Sequence, residues 1–107
     1  MTDNRREKQR YWEKSQSILN TLHVVSYHLI SGEVISTSTL RIGFAEYLNQ
    51  YHSDEDFVLC HESVAAAVWA IDKLTKTELT VRNREILPVA KSRYAQVSEK
   101  YMNYRFR

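Results

Sequence analysis

The stretch SDEDFVLCHESVAAAVWAIDKL, residues 53–74, decides the fold expected from the sequence. It opens with a serine that can cap a helix, followed by acids that suit the positive end of a helix dipole. Apolar residues such as Phe57 and Val64 then recur at helical spacing. Because the alanines at 65–67 leave room for neighbours on several sides, this segment is predicted to be a central third helix.

Helical spacing continues on the amino-terminal side of this segment. Apolar residues from Tyr11 to Ile30 predict a first helix over residues 4–31, which would stop at Gly32 in the left-handed conformation. Hydroxyl residues at 36–39 offer N-caps for a short second helix, which would carry Gly43 in its middle. The apolar face of this second helix would consist of Leu40, Phe44, Leu48 and Tyr51.

Two further helices are predicted on the carboxyl-terminal side. Thr75 and Glu78 have the spacing of a capping box and begin a fourth helix that ends before Pro88. A fifth helix follows, with apolar and tyrosine residues at helical spacing from Val89 to Tyr104.

These segments predict an all-α fold, a compact bundle of four to five helices formed by residues 1–107 as a single domain. Only two glycines and one proline interrupt the chain, which disfavours turn-rich β folds. One alternative is left open. Residues 24–35 are rich in β-branched and aromatic side chains around a Ser-Gly-Glu turn, so a short hairpin competes with the helix there.

The composition narrows the environment in which the protein would work. A single cysteine, Cys60, provides neither an intramolecular disulfide nor a thiolate cluster. The charged amino terminus lacks the pattern of a signal peptide, and no apolar run reaches the length of a membrane span. The sequence therefore predicts a cytoplasmic protein with no membrane partner.

Catalytic, cofactor and metal motifs are absent from the sequence. Gly32 and Gly43 are too few for a glycine-rich phosphate loop, and the histidines lack the spacing of metal ligands. Cys60 falls on an apolar stripe, where a buried thiol is inert. We therefore expect no catalytic residues, no cofactor and no metal, and a protein that acts by binding.

The charge is unevenly distributed along the chain. Residues 1–14 carry a net +2, residues 15–80 a net −5 and residues 81–107 a net +5. In the last segment, basic residues alternate with tyrosines, and these two residue types dominate interface hot spots. The predicted partner-binding surface on this segment consists of Arg93, Tyr94, Lys100, Tyr101, Tyr104 and Arg105.

The leading functional hypothesis is a protein-binding module, a small regulator or inhibitor of the phage or plasmid type that occupies the surface of another protein. The alternative is a DNA- or RNA-binding regulator that uses its basic ends, although a sequence pI of about 8.7 is low for that class. A homodimer formed through the aromatic face of the first helix is a third hypothesis. The candidate nucleic-acid contacts are Arg5, Arg6, Lys8, Arg10, Arg82 and Arg84.

Overall fold

Two antiparallel β-sheets and two α-helices form the part of the chain that the computed structural model describes, residues 11–53 and 56–106. The strands are β1 (Ser15–Thr21), β2 (Val24–Leu29), β3 (Val34–Thr39), β4 (Phe57–His61), β5 (Val64–Ala67), β6 (Ile71–Leu74), β7 (Glu78–Val81) and β8 (Ile86–Pro88). The helices are α1 (Phe44–Tyr51) and α2 (Tyr94–Arg105), and short 3-10 turns lie at Tyr11–Lys14, Val68–Ala70 and Lys91–Arg93. The first sheet has the order β3-β2-β1-β5-β4, and the second has the order β6-β7-β8.

The first sheet is covered on both of its faces. Ile18 of β1 pairs with Tyr27 and Ala65, and the Tyr27 hydroxyl reaches Tyr47 of α1, so this face lies against α1. The neighbouring residue Ser17 points to the other face and donates a hydrogen bond to Glu85 beside the second sheet. Because neighbouring strand residues point to opposite faces, the sheet has a core on each side.

The predicted helical bundle is therefore wrong, and the central stretch shows why. Residues 53–74 form β4, β5, a 3-10 turn and β6 instead of one helix, and the acids at 54 and 55 lie outside the described residues. Ala65, Ala66 and Ala67 are fully buried in β5, which pairs with β1 on one side and β4 on the other. A strand buried on both faces is continuously apolar, and a run of small apolar residues fits a central helix equally well.

The predicted first helix is wrong over its described part. Residues 15–29 form β1 and β2, which are joined by a tight turn, and β2 then pairs with β3. The hairpin left open at residues 24–35 is thus confirmed. Gly32 has a φ of +95°, as expected, but it closes the β2–β3 turn instead of ending a helix. Residues 4–10 lie outside the described part of the chain.

The predicted second helix is present in part. Helix α1 begins at Phe44, so Gly43 occupies its N-cap position instead of its middle, and no atom lies within 4 Å of where a Gly43 Cβ would be. Leu40 lies before the helix, immediately after β3. Phe44 and Leu48 are buried, as the spacing predicted.

The fourth helix is wrong and the fifth is present. Thr75 does accept a hydrogen bond from the backbone N–H of Glu78, at 3.2 Å, as a capping residue would. This contact, however, closes the turn between β6 and β7, because hydroxyl residues cap turns as well as helices. The fifth segment forms α2, which packs through Val97, a residue with no exposed surface.

A buried polar network joins the two sheets beside the turn between β7 and β8. Glu85 accepts hydrogen bonds from Ser17 at 2.6 Å and from Gln16 at 3.3 Å, and its other oxygen lies 3.1 Å from His28 Nδ1. Gln16 also accepts a hydrogen bond from the backbone N–H of Asn83 at 2.8 Å. Since Gln16 and Ser17 are almost fully buried, this network holds the β7–β8 turn against the start of β1.

The single thiol is inaccessible in the folded chain. Cys60 has no exposed surface, and burial raises the pKa of its thiol to about 12. Because the thiolate is the reactive form, Cys60 should resist a disulfide reagent at mildly alkaline pH and react at once after unfolding in denaturant. The reaction is monitored by absorbance. If one equivalent of reagent labelled Cys60 in the native protein, this burial would be contradicted.

A polar cluster lies among the aromatic side chains between α1 and the first sheet. The Tyr27 hydroxyl lies 2.5 Å from the Tyr47 hydroxyl and 2.6 Å from His52 Nε2. The His52 ring also packs edge-on against Phe57, with ring centroids 5.0 Å apart. Burial lowers the pKa of His52 below its ordinary value, and the Asp56 carboxylate opposes this shift.

Acid should therefore destabilise the fold through His52. The unfolded chain takes up the imidazole proton near its ordinary pKa of about 6.5, whereas the folded chain takes it up only at lower pH. The contribution of His52 is thus complete above the unfolded pKa and is lost as the pH falls towards the folded pKa. In denaturant unfolding at a series of pH values, His52→Gln should show a shallower loss of stability across this range. Parallel curves for the two proteins would exclude His52 as a source of acid sensitivity.

Candidate functional site

Four loops meet at one end of the first sheet, and we call residues 20–24, 39–43, 61–64 and 88–93 the basic end. Three backbone hydrogen bonds connect these loops. The N–H of Leu40 donates to His23 O at 2.6 Å, and the N–H of Asn20 donates to Ser63 O at 2.9 Å. The N–H of Ala90 donates to Cys60 O at 2.8 Å, which brings the loop before α2 beside the β4–β5 turn.

The charge of the basic end distinguishes it from the opposite end of β1. Its loops contain Arg41, Lys91, Arg93 and two histidines, with Glu62 as the one acid. The opposite end of β1 has the turns at 13–15, 30–33 and 82–85, which carry three basic and three acidic residues. Of these two ends, the basic end is the one that offers an anionic ligand an excess of positive charge.

The β1–β2 turn is the most strained part of the basic end. Its two central residues, Leu22 and His23, have φ values of +51° and +69°. Two positive φ values in a two-residue hairpin turn are typical of type I′, which favours asparagine and glycine. Leucine at such a position is unfavourable by about 1 kcal/mol or more. Strained backbone conformations of this kind are concentrated at functional sites, which makes the turn a candidate.

The β4–β5 turn presents a histidine with a defined hydrogen-bonding pattern. His61 Nδ1 accepts a hydrogen bond from the backbone N–H of Ser63 at 3.3 Å. Since Nδ1 is the acceptor, Nε2 remains as the N–H donor of the ring. His61 can therefore donate to an oxygen acceptor that approaches this end of the sheet.

The loop before α2 supplies the remaining positive charge. Lys91 and Arg93 lie in a 3-10 turn that the Arg93 N–H closes by donating to Ala90 O at 2.9 Å. Lys91 is exposed, whereas Arg93 is half-buried. With Arg41 on the far side of the β1–β2 turn, these cations flank the turn on two sides.

The sequence-based nucleic-acid contacts do not lie at the basic end. Arg82 and Arg84 belong to the β7–β8 turn, which the Glu85 network attaches to the opposite end of β1. The Arg82 guanidinium lies 5.2 Å from the centre of the Trp69 ring. Arg84 has a φ of +59°, at the position that Gly32 takes in the adjacent β2–β3 turn. Arg5, Arg6, Lys8 and Arg10 lie outside the described residues.

The sequence-based partner surface lies along α2 and is only partly exposed. Tyr94 and Tyr101 pack against the core, and the Tyr101 hydroxyl donates to Asp72 O at 3.5 Å. The Arg105 guanidinium lies 5.8 Å from the centre of the Tyr101 ring. Tyr104 is exposed and Lys100 is half-buried, and Arg93 belongs to the basic end instead of the helix. The tyrosines thus serve partly to attach α2 to the rest of the fold.

The basic end was missed because its members are far apart in the sequence. His23, Arg41, His61 and Lys91 lie on four separate loops, and only Lys91 belongs to a charged segment that the sequence shows. If tight turns had been predicted at 22–23 and 61–63, the basic end could have been found, because antiparallel strands bring alternate loops to the same end of a sheet.

The arrangement of two antiparallel sheets with two helices is the fold of LytTr-type domains, a β-rich class. One similar solved structure is the LytTr DNA-binding domain of a protein described as a methyl-accepting/DNA response regulator from Bacillus cereus. It superposes with a TM-score of 0.66 and 18% sequence identity, over 85% of this chain and 83% of that chain. This similarity shows the fold and corrects the helical prediction. No family model matches the sequence, and no curated protein is similar enough to count as a match.

Within residues 11–53 and 56–106, no three His, Cys, Asp or Glu side chains converge as they would around a metal ion. Among the helices described, none is long and apolar enough to cross a membrane.

Proposed function

We propose that this protein is a DNA-binding domain that contacts the duplex with its basic end. The observation that carries the proposal is the meeting of four loops with three Lys or Arg and two His side chains at one end of the sheet. Phosphate contacts by such side chains supply most of the affinity of DNA-binding proteins. The likeness to a LytTr DNA-binding domain supports DNA as the partner, in place of the protein surface favoured by the sequence.

The shape of the basic end suits the major groove. Strands β1 and β2 lie inside the five-stranded sheet, so the part of the hairpin that can enter a major groove about 12 Å wide is the two-residue turn at its end. His23 lies in this turn, and backbone hydrogen bonds join the loops that carry Arg41 and Lys91 to His23 and to Cys60, respectively. In this proposal the domain binds without catalysis, and its role is that of a regulator.

The experiment is a fluorescence anisotropy titration of a labelled duplex of about three helical turns with the intact chain. Binding should weaken steeply as salt rises from about 50 to about 200 mM, because phosphate contacts release counterions. A single-stranded oligonucleotide and a duplex RNA of equal length serve as controls. Absence of salt-sensitive binding to the DNA duplex, or equal binding to the RNA, would overturn the proposal.

A further inference from the structure

Leu22 is an exposed apolar residue that the fold does not use. Its side chain is 89% exposed, the highest value among the large apolar residues that the structure describes. It sits at the tip of the β1–β2 turn with a φ of +51°, where asparagine or glycine would be less strained. The folded chain therefore bears the strain of this residue without the benefit of burying it.

The backbone around Leu22 is fixed. Strands β1 and β2 pair up to Thr21 and Val24, directly on either side of the turn. The His23 carbonyl accepts the Leu40 N–H at 2.6 Å, which ties the tip to the end of β3. Because this backbone is already fixed, little backbone conformational entropy is lost when the turn meets a ligand.

The partner chemistry follows from what surrounds Leu22. The loops of Arg41 and His61 are joined by backbone hydrogen bonds to residues beside the turn, and their basic side chains favour a polyanion, as the proposed function requires. Base edges in the major groove are polar, with one apolar exception, the C5-methyl group of thymine. An aliphatic side chain in a turn that enters that groove has this methyl group as its complementary contact.

We propose that Leu22 is a specificity-determining residue that favours thymine in the bound DNA through contact with its C5-methyl group. This inference rests on the proposed function and adds a base preference to it. Leu22 contributes little to electrostatic affinity, which comes from the cations around it. Its effect is a difference in binding affinity between a duplex with thymine and one in which that base lacks the methyl group.

The experiment begins by selecting duplexes from a randomised pool with the intact chain. Each thymine of a selected duplex is then replaced in turn by uracil, which removes only the methyl group. At one thymine or a few, the replacement should weaken binding by about four-fold, as expected for burial of one methyl-sized group. Uracil at the remaining thymines should have no effect and serves as the internal control.

The matched variant is Leu22→Asn, which suits the left-handed conformation of the turn. Its melting temperature should equal or exceed that of the parent chain, so a change in binding will not be due to unfolding. This variant should bind the thymine and uracil duplexes equally while retaining salt-sensitive binding.

Three results would overturn the inference, and they differ in what they leave standing. If no sequence is enriched, or if Leu22→Asn keeps the full uracil effect, DNA binding stands but Leu22 does not read thymine. The second of these results would leave Leu22 free to contact a protein instead. If the intact chain binds no DNA, the proposed function fails and the inference fails with it.

Discussion

Replacing both Arg41 and Lys91 by alanine should weaken binding to duplex DNA by roughly ten- to one hundred-fold at low salt. The two cations lie on either side of the β1–β2 turn, on loops that backbone hydrogen bonds attach to the sheet. The affinity falls with rising salt, and each phosphate contact that is lost should make the slope of log affinity against log salt shallower by about 0.9. Anisotropy titrations at several salt concentrations measure both quantities.

The matched control is the double variant Arg82→Ala and Arg84→Ala, which removes the same formal charge from the opposite end of β1. Its salt slope should stay close to that of the parent chain. Equal losses in the two double variants would mean that DNA binds through overall charge instead of through the basic end. A larger loss in the Arg82 and Arg84 variant would place the interface on the β7–β8 turn.

Ile18 and Leu22 differ in how far the fold buries their side chains. Ile18→Ala should lower the free energy of unfolding by about 2–5 kcal/mol, because the side chain is fully buried and leaves a cavity. Leu22→Ala should change it by less than about 0.5 kcal/mol, because this side chain is almost fully exposed. Denaturant unfolding followed by circular dichroism gives both values.

This pair of variants discriminates between the two folds. In the helix predicted over residues 4–31, Ile18 and Leu22 are four residues apart and share the buried face, so both changes would destabilise the protein. In the sheet, Ile18 points into the core and Leu22 lies in a turn. Comparable losses of several kcal/mol for both variants would contradict the β-sheet.

Local sequence signals identified the positions of turns correctly, but not the elements that those turns join. Gly32 does adopt the left-handed conformation, and Thr75 does accept the backbone N–H of Glu78. Both signals mark a turn and do not specify which element the turn joins. The assignment of helices on either side was therefore an independent step, and it was wrong at both positions.

Periodicity failed where strands are covered on both faces. Strand β5 lies between β1 and β4, and a core on each face removes the alternation that identifies a strand. In β2 the alternation is present, with Val25, Tyr27 and Leu29 buried, but Leu22, Val25 and Leu29 also step by three and four residues and so fit a helical face. Helix α2 was predicted, with a start about five residues too early, because Tyr94, Val97, Tyr101 and Tyr104 recur at helical spacing.

The candidate site depends on contacts between distant residues and could not be predicted from local pattern. His23 and Leu40 are joined by one backbone hydrogen bond, and Cys60 and Ala90 by another. These contacts arise from strand order, which the sequence does not state directly. The terminal charge clusters attracted attention because they are contiguous, whereas the basic end is assembled from single residues.

The most direct test is amide chemical-shift mapping of the isotopically labelled chain during titration with a duplex. The proposed interface predicts the largest shifts at residues 20–24, 39–43, 61–64 and 88–93, with the β7–β8 turn unaffected. Shifts concentrated at residues 82–85 or along α2, or no shifts with added duplex, would contradict DNA binding through the basic end.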